Sequence, residues 1–208
     1  MTLRLYFEHD LLTAPVELLT CVPRDDLFAA TLHATPFHPQ GGGQPSDTGW
    51  IGEARVLRVT QEGEQIVHYL TQPLTPGSHE ARVDEEQRLF NSRMHSAGHL
   101  IGHFVQSLGW IPIKAHHWPN EGRVSFKPGE QPQAIDCARV QNALAQWISE
   151  DFPRHISLAA GSRQISFGQL PAYGCGGTHV QHLQQLGRVI IDSVAEKKGT
   201  LSVSYSLG

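Results

Sequence analysis

The stretch DEEQRLFNSRMHSAGHLIGHFVQSL, Asp84–Leu108, decides the fold. Apolar residues recur at Phe90, Met94, Ala97, Ile101, Phe104, Val105 and Leu108, the 3.6-residue stripe of an amphipathic helix of about seven turns. Asp84 offers an N-cap and Gly109 a stop. Upstream there is no such period. The runs Leu3–Phe7, Val16–Val22, Leu27–His33, Ile51–Thr60 and Gln65–Leu70 are short and apolar or alternating. Turn chemistry such as Pro23-Arg24-Asp25-Asp26 and Glu62-Gly63 separates them, the pattern of a small β-barrel or sandwich. Downstream, Asp136–Glu150 predicts a second helix with Val140, Leu144, Trp147 and Ile148 on its buried side. Strands are expected at Gly122–Phe126, His155–Ala160, Arg163–Phe167, Arg188–Val194 and Thr200–Leu207, the last two joined by the hairpin signal Glu196-Lys197-Lys198-Gly199. The chain therefore reads as α+β. Residues 1–83 form an N-terminal β-barrel-like lobe with a glycine-rich loop. Residues 84–208 form an α+β lobe with a long metal-bearing helix and an antiparallel sheet. The boundary falls near Ala81–Asp84.

Composition narrows the class. Of 208 residues, 39% are hydrophobic and 17% charged, below the roughly 25% of an average chain, which argues against disorder and coiled coils. No run reaches the ~18 apolar residues of a membrane span. Glu8, Asp10 and Glu17 interrupt the first twenty residues, so no secretory leader is read there. Sixteen Lys and Arg against twenty Asp and Glu give a net charge of −4, so any grip on nucleic acid must be local. Three cysteines are too few for a disulfide scaffold, and a reducing, cytoplasmic setting follows. Thirteen histidines raise the question of a shared metal.

Three segments carry chemistry. His95-Ser96-Ala97-Gly98-His99 lies within the long helix, where residues four apart share a face and both imidazoles can reach one ion. In Cys175-Gly176-Gly177-Thr178-His179, glycines let the backbone turn so that thiolate and imidazole converge. Either pair alone is more often solvated or merely buried. Together they form a mixed N/S set that suits tetrahedral Zn²⁺ better than Mg²⁺ or Ca²⁺. A metzincin is excluded, since Ser96 stands where HExxH needs its glutamate. The third segment is His38-Pro39-Gln40-Gly41-Gly42-Gly43-Gln44-Pro45-Ser46-Asp47-Thr48-Gly49. It is neither a dinucleotide fingerprint nor a P-loop. Its bare backbone permits close approach of a ligand, and Gln44 supplies donor and acceptor together.

The combination of HPQGGGQPSDTG, HSAGH and CGGTHV resembles the editing domain of alanyl-tRNA synthetase, and more closely the free-standing AlaX editing proteins of medium length. The resemblance covers essentially the whole chain. It implies an ATP-independent zinc hydrolase acting in trans on the acceptor end of tRNA(Ala), removing a wrong amino acid, chiefly serine and in many members glycine. It also implies His95, His99, Cys175 and His179 as zinc ligands, and Gln44 as the glutamine of the glycine-rich loop. Two departures stand out. The family motif HTAxH has Ser96 at its threonine, and an RxDF-like strand appears as Arg123-Val124-Ser125-Phe126, without its carboxylate.

These readings make Gln44 and Ser96 the candidate catalytic residues, with Gly41, Gly42, Gly43 and Thr178 beside them for substrate. Gln44 would orient water or carbonyl, and Ser96 would bond the seryl hydroxyl. His103, one turn beyond His99, shares that helix face, though a solvated or helix-packing histidine is the better reading of it. Arg88, Arg93, Lys114, Arg123, Lys197 and Lys198, with Arg82 and Lys127, are the candidates for RNA contact. No membrane and no obligate protein partner are expected. Two other classes remain open at this point. One is a zinc-stabilised tRNA-binding module without turnover, and the other is an editing hydrolase for another misacylated tRNA. A serine esterase is disfavoured because GxSxG is missing.

Overall fold

A computed structural model describes residues 1–159 and 162–208, so Ala160, the last residue of one expected strand, lies outside the described residues. The chain is mixed α+β and divides into two compact units. The first comprises Met1–Gly41 and Pro45–Leu89, and the second Gly42–Gln44 and Phe90–Gly208.

The first unit contains β1 (Leu3–Arg4), β2 (Thr13–Arg24), β3 (Leu27–Leu32), β4 (Ala34–Thr35), β5 (Gly49–Ile51), β6 (Ala54–Glu62), β7 (Gln65–Leu70) and β8 (Gly77–Val83). Six of these pair in a closed ring, β2-β3-β7-β6-β5-β8, which removes free sheet edges. Period-two burial sets the register. Ala14, Val16 and Leu18 of β2 are buried, and Val16 and Leu18 meet Leu32, Phe37, Ile51, Val56, Val59, Ile66, Leu70 and Val83 in an apolar core. The expected strand Ile51–Thr60 is two strands, because Gly52 (φ +53°) reverses the chain between β5 and β6. Only Leu3–Arg4 of Leu3–Phe7 is extended, and Leu5–Phe7 form a 3₁₀ turn. β8 carries no strong apolar alternation and is not evident from sequence. Within this unit lies a buried ion pair. Asp47 accepts from Arg88 Nε at 3.0 Å and from Arg88 Nη2, and from His38 N–H at 2.6 Å, while Arg88 Nη2 also donates to Pro36 C=O at 2.7 Å.

Helix α1 (Glu85–Ser107) starts where Asp84 Oδ1 accepts the Gln87 N–H at 3.2 Å, and it ends before Gly109, whose φ of +85° no branched residue adopts cheaply. The second unit continues with β9 (Trp110–His116), β10 (Gly122–Pro128), α2 (Cys137–Glu150), β11 (Arg154–Ala159), β12 (Ser162–Phe167), β13 (Tyr173–Gly174), β14 (Val189–Lys197) and β15 (Thr200–Leu207). Asp136 caps α2 by accepting the Arg139 N–H at 2.8 Å. One antiparallel sheet runs β14-β15-β10-β9 and a second β11-β12-β13. Lys198 (φ +52°) and Gly199 (φ +73°) give the β14–β15 hairpin the two left-handed residues its tight turn needs. The core joins Met94, Leu100, Ile101 and Val105 of α1 to Val124, Phe126, Val140, Leu144, Val203 and Tyr205. Each such side chain, fully buried, contributes on the order of 1.5–3 kcal/mol. Among the described residues no helix is long and apolar enough to cross a membrane.

Candidate metal centre

His95 and His99 stand one turn apart on α1, both buried. Cys175 and His179 come from the turn that follows β13. Each of the four offers one ligand atom, and these atoms lie within 4.8 Å of one another. Cys175 Sγ is 3.5 Å from His95 Nε2 and 3.2 Å from His179 Nε2. Three nitrogens and a sulfur at this separation have the chemistry of a tetrahedral metal site. The set also carries unmet bonding capacity, since His99 Nδ1 is buried without a hydrogen-bond partner among the described residues. The donor set therefore fits a metal ion.

The turn is held from behind. Arg163, buried, donates from Nη1 to the carbonyls of Cys175 at 2.9 Å and Gly177 at 2.8 Å, and Arg154 Nη1 donates to the His179 carbonyl at 2.8 Å. Gly177 is obligatory for packing: a Cβ there would overlap the His95 ring and crowd Gln44 Oε1.

The sequence predicts Gln44, Ser96 and Thr178 against substrate. The structure places them one layer behind the imidazoles. Gln44 is fully buried, and its Oε1 accepts from Thr178 N–H at 3.0 Å and from His95 Nδ1 at 2.7 Å, while its Nε2 donates to Thr178 Oγ1 at 2.8 Å. An amide oxygen can only accept, so His95 Nδ1 carries the proton and the Nε2 lone pair is left for the metal. Ser96, equally buried, accepts Val180 N–H at 3.2 Å and lies 3.0 Å from His179 Nδ1. Thr178 Oγ1 is also 2.8 Å from Ser92 Oγ. These contacts tie Gln44 and Ser96 to the imidazole rings and to the 178–180 backbone.

A cavity of about 400 Å³ opens beside the cluster, lined by His95, His99 and Cys175 together with Gly42, Lys114, His117, Tyr173 and neighbours. Gln44, Ser96, Thr178 and Gly41 are not among its lining residues. The Gly43 carbonyl accepts His117 N–H at 2.8 Å.

Burial governs the protonation states. It pushes the His99 imidazole down to about 3 and His179 well below its usual range, with further lowering from neighbouring histidines and Arg163. His103 and His117 fall to about 4 for the same reason. All are thus neutral, as coordination requires. Burial raises the Cys175 thiol and lifts Tyr173 to about 12. His103 stacks on Tyr173 with ring centres 4.1 Å apart.

Two of the RNA candidates are engaged within the fold. Arg88 is buried, with Nε and Nη2 engaged by Asp47 and Pro36. Arg93 is half-buried, with Nε and Nη2 both donating to the Leu186 carbonyl. Lys114, Arg123, Lys197 and Lys198 are exposed. The sequence reading missed Arg163, His117 and Tyr173. The adjacent pair His116-His117 was a signal for the second of these, whereas nothing local marks the other two.

No protein-family model matches the chain. It is similar to the alanyl-tRNA editing protein Aarsd1 of Bos taurus, 30% identical with 87% of this chain aligned to 46% of that protein. The Mus musculus protein of the same name is 31% identical over 83% of this chain and 46% of its own length. An alanine–tRNA ligase of Chlorobaculum tepidum is 27% identical over 89% of this chain and 26% of the ligase. The chain spans about half the length of the curated editing proteins it matches. It is thus a homologue of the alanyl-tRNA editing proteins, the family its own motifs resemble.

Proposed function

We propose that the chain is a free-standing hydrolase that deacylates mischarged tRNA(Ala), chiefly Ser-tRNA(Ala) with Gly-tRNA(Ala) as a second substrate. The observation that carries this reading is the cluster of three buried imidazole nitrogens and one half-buried sulfur beside the cavity, with its first histidine oriented by Gln44 of the glycine-rich loop. The cavity falls in the ~300–1,000 Å³ range of small-molecule sites, room for an aminoacyl group together with part of its nucleoside. The relatives' names support tRNA(Ala) editing.

In this reading His95, His99, Cys175 and His179 hold Zn²⁺, which when bound supplies a Lewis acid beside the ester or fixes the pocket wall. Gln44 and Ser96 act as positioning residues, fixing the His95 and His179 rings rather than touching the ester. Lys114, at the cavity, and exposed Arg123, Lys197 and Lys198 meet phosphate.

One observation favours a second reading. Four protein donors make a closed set, the usual mark of structural zinc, which would suit a tRNA-binding module without turnover. Deacylation of Ser-, Gly- and Ala-charged tRNA(Ala), run beside Cys175→Ala with zinc assayed, decides between them. Release of serine and glycine with alanine spared, and its loss in the zinc-free variant, is expected. Folded, zinc-loaded protein that releases none of the three while still binding tRNA would establish the module instead.

A further inference from the structure

His117 is the one cavity histidine outside the metal set, and its setting is fully specified. Its backbone N–H donates to Gly43 C=O. Its ring stacks on His95 with centres 4.4 Å apart and 23° between planes. The stack is possible because Gly98 of α1 has no Cβ, which would otherwise overlap the His117 ring. Tyr205 Oη donates its only proton to Met94 C=O at 2.9 Å and lies 2.6 Å from His117 Nδ1. Nδ1 must therefore be the donor in that contact, and in the neutral ring Nε2 is left with a lone pair. No described residue hydrogen-bonds to Nε2, although nearly all of the ring is buried. The relay thus fixes one tautomer and presents one acceptor to the cavity.

The rest of the lining says what would meet it. No Asp or Glu lines this cavity; its side-chain polar groups are the metal-set residues, Lys114, Tyr173 and His117. Tyr173 Oη already donates to Gln106 Oε1 at 2.6 Å. A ligand bearing N–H donors next to the cluster therefore finds His117 Nε2 as the pre-oriented nitrogen acceptor. In an aminoacyl ester, the group that carries such donors within one bond of the reacting carbonyl's neighbour is the α-amine.

We infer that His117 Nε2 is the subsite for the free α-amino group of the ligand, which anchors the ester carbonyl beside the cluster. This rests on the editing reading above. It predicts selectivity for a ligand that carries the amine over one that lacks it.

The test uses binding as well as turnover. Binding of 3′-amide-linked seryl-adenosine, which cannot hydrolyse, and of its deamino counterpart (the 3-hydroxypropanoyl amide) would be measured by calorimetry on the zinc-assayed chain. The variants would be His117→Phe, which keeps the stacked ring, and His117→Gln, whose amide reaches the Nε2 position. Wild type should prefer the free amine about tenfold or more, the scale of one hydrogen bond left unmade. His117→Phe should erase that preference at unchanged zinc content, and His117→Gln should restore part of it. Equal weakening toward both compounds, an undiminished preference in His117→Phe, or no binding of either by wild type would overturn the inference. Parallel deacylation by wild type keeps the two ideas separable. Turnover with no amine preference sinks only the subsite, and amine-selective binding without turnover sinks only the hydrolase.

Discussion

The two units solve the problem of buried polarity in opposite ways. In the barrel unit the one deeply buried charge, Asp47, meets Arg88 and a backbone N–H, and the pair is closed on itself. In the second unit, four buried or half-buried nitrogen and sulfur donors converge with bonding capacity to spare. Their formal charges differ in the same sense. The barrel unit holds six Lys and Arg against thirteen Asp and Glu, a net −7, whereas the second holds ten against seven, a net +3. An acidic unit whose buried ion pair is closed favours solubility. A mildly basic unit with open donors is built to bind, and the chain's net −4 conceals it.

Acid should separate the units most strongly. His99, His103, His117 and His179 in the second unit, and His38 and His68 in the barrel, are all pushed down by burial. Their unfolded counterparts take up protons first, so the stability they lend is present above about pH 6.5. It is lost as pH falls toward about 4, at ~1.4 kcal/mol per pH unit for each. Hydrogen exchange on metal-free protein between pH 7 and 5 should see the second unit open first. Earlier opening of the barrel would contradict the contrast drawn above.

Asp47→Ala comes next. It strands the Arg88 guanidinium in the barrel unit and should cost about 3–5 kcal/mol in urea melts. A loss under 1 kcal/mol would mean that the pair is less closed than its contacts suggest. Gln44→Ala should weaken zinc affinity about 10–100-fold, the usual scale for a group that orients a ligand, at little cost to the barrel. Competition with a chromogenic chelator reads this directly, and unchanged affinity would make Gln44 mere packing. The smallest effect is Lys114→Ala, which should lower the salt slope of tRNA binding by about one, whereas Arg24→Ala, on a barrel residue already paired with Glu62, should leave it alone.

Much of this was legible where a local rule suffices. Asp84, Gly109 and the apolar stripe between them give α1 to within a residue at each end, and Gln65–Leu70 and Thr200–Leu207 appear as read. The convergence of the two His/Cys pairs was legible because a helix fixes the 95/99 spacing and glycines free the 175–179 turn. What was not legible depends on distant partners. Strand β9 is hidden by Pro112 and a register shift opposite Ser125/Phe126. The burial of Gln44 and Ser96 depends on Thr178 and Val180, more than eighty residues away in sequence, so their side chains looked free when read locally. Arg88 likewise reads as a helix-surface cation until Asp47 is placed against it.

The grouping of Gly42–Gln44 with the second unit has a consequence for how this protein can be cut or transplanted. A gene fragment beginning at residue 84 would encode all four metal-set side chains yet omit the amide that selects the His95 tautomer. The smallest heritable module is therefore discontinuous along the chain. Any fusion or shuffled ancestor that carried the helix without its three-residue insert would have had to regain that hydrogen bond from elsewhere.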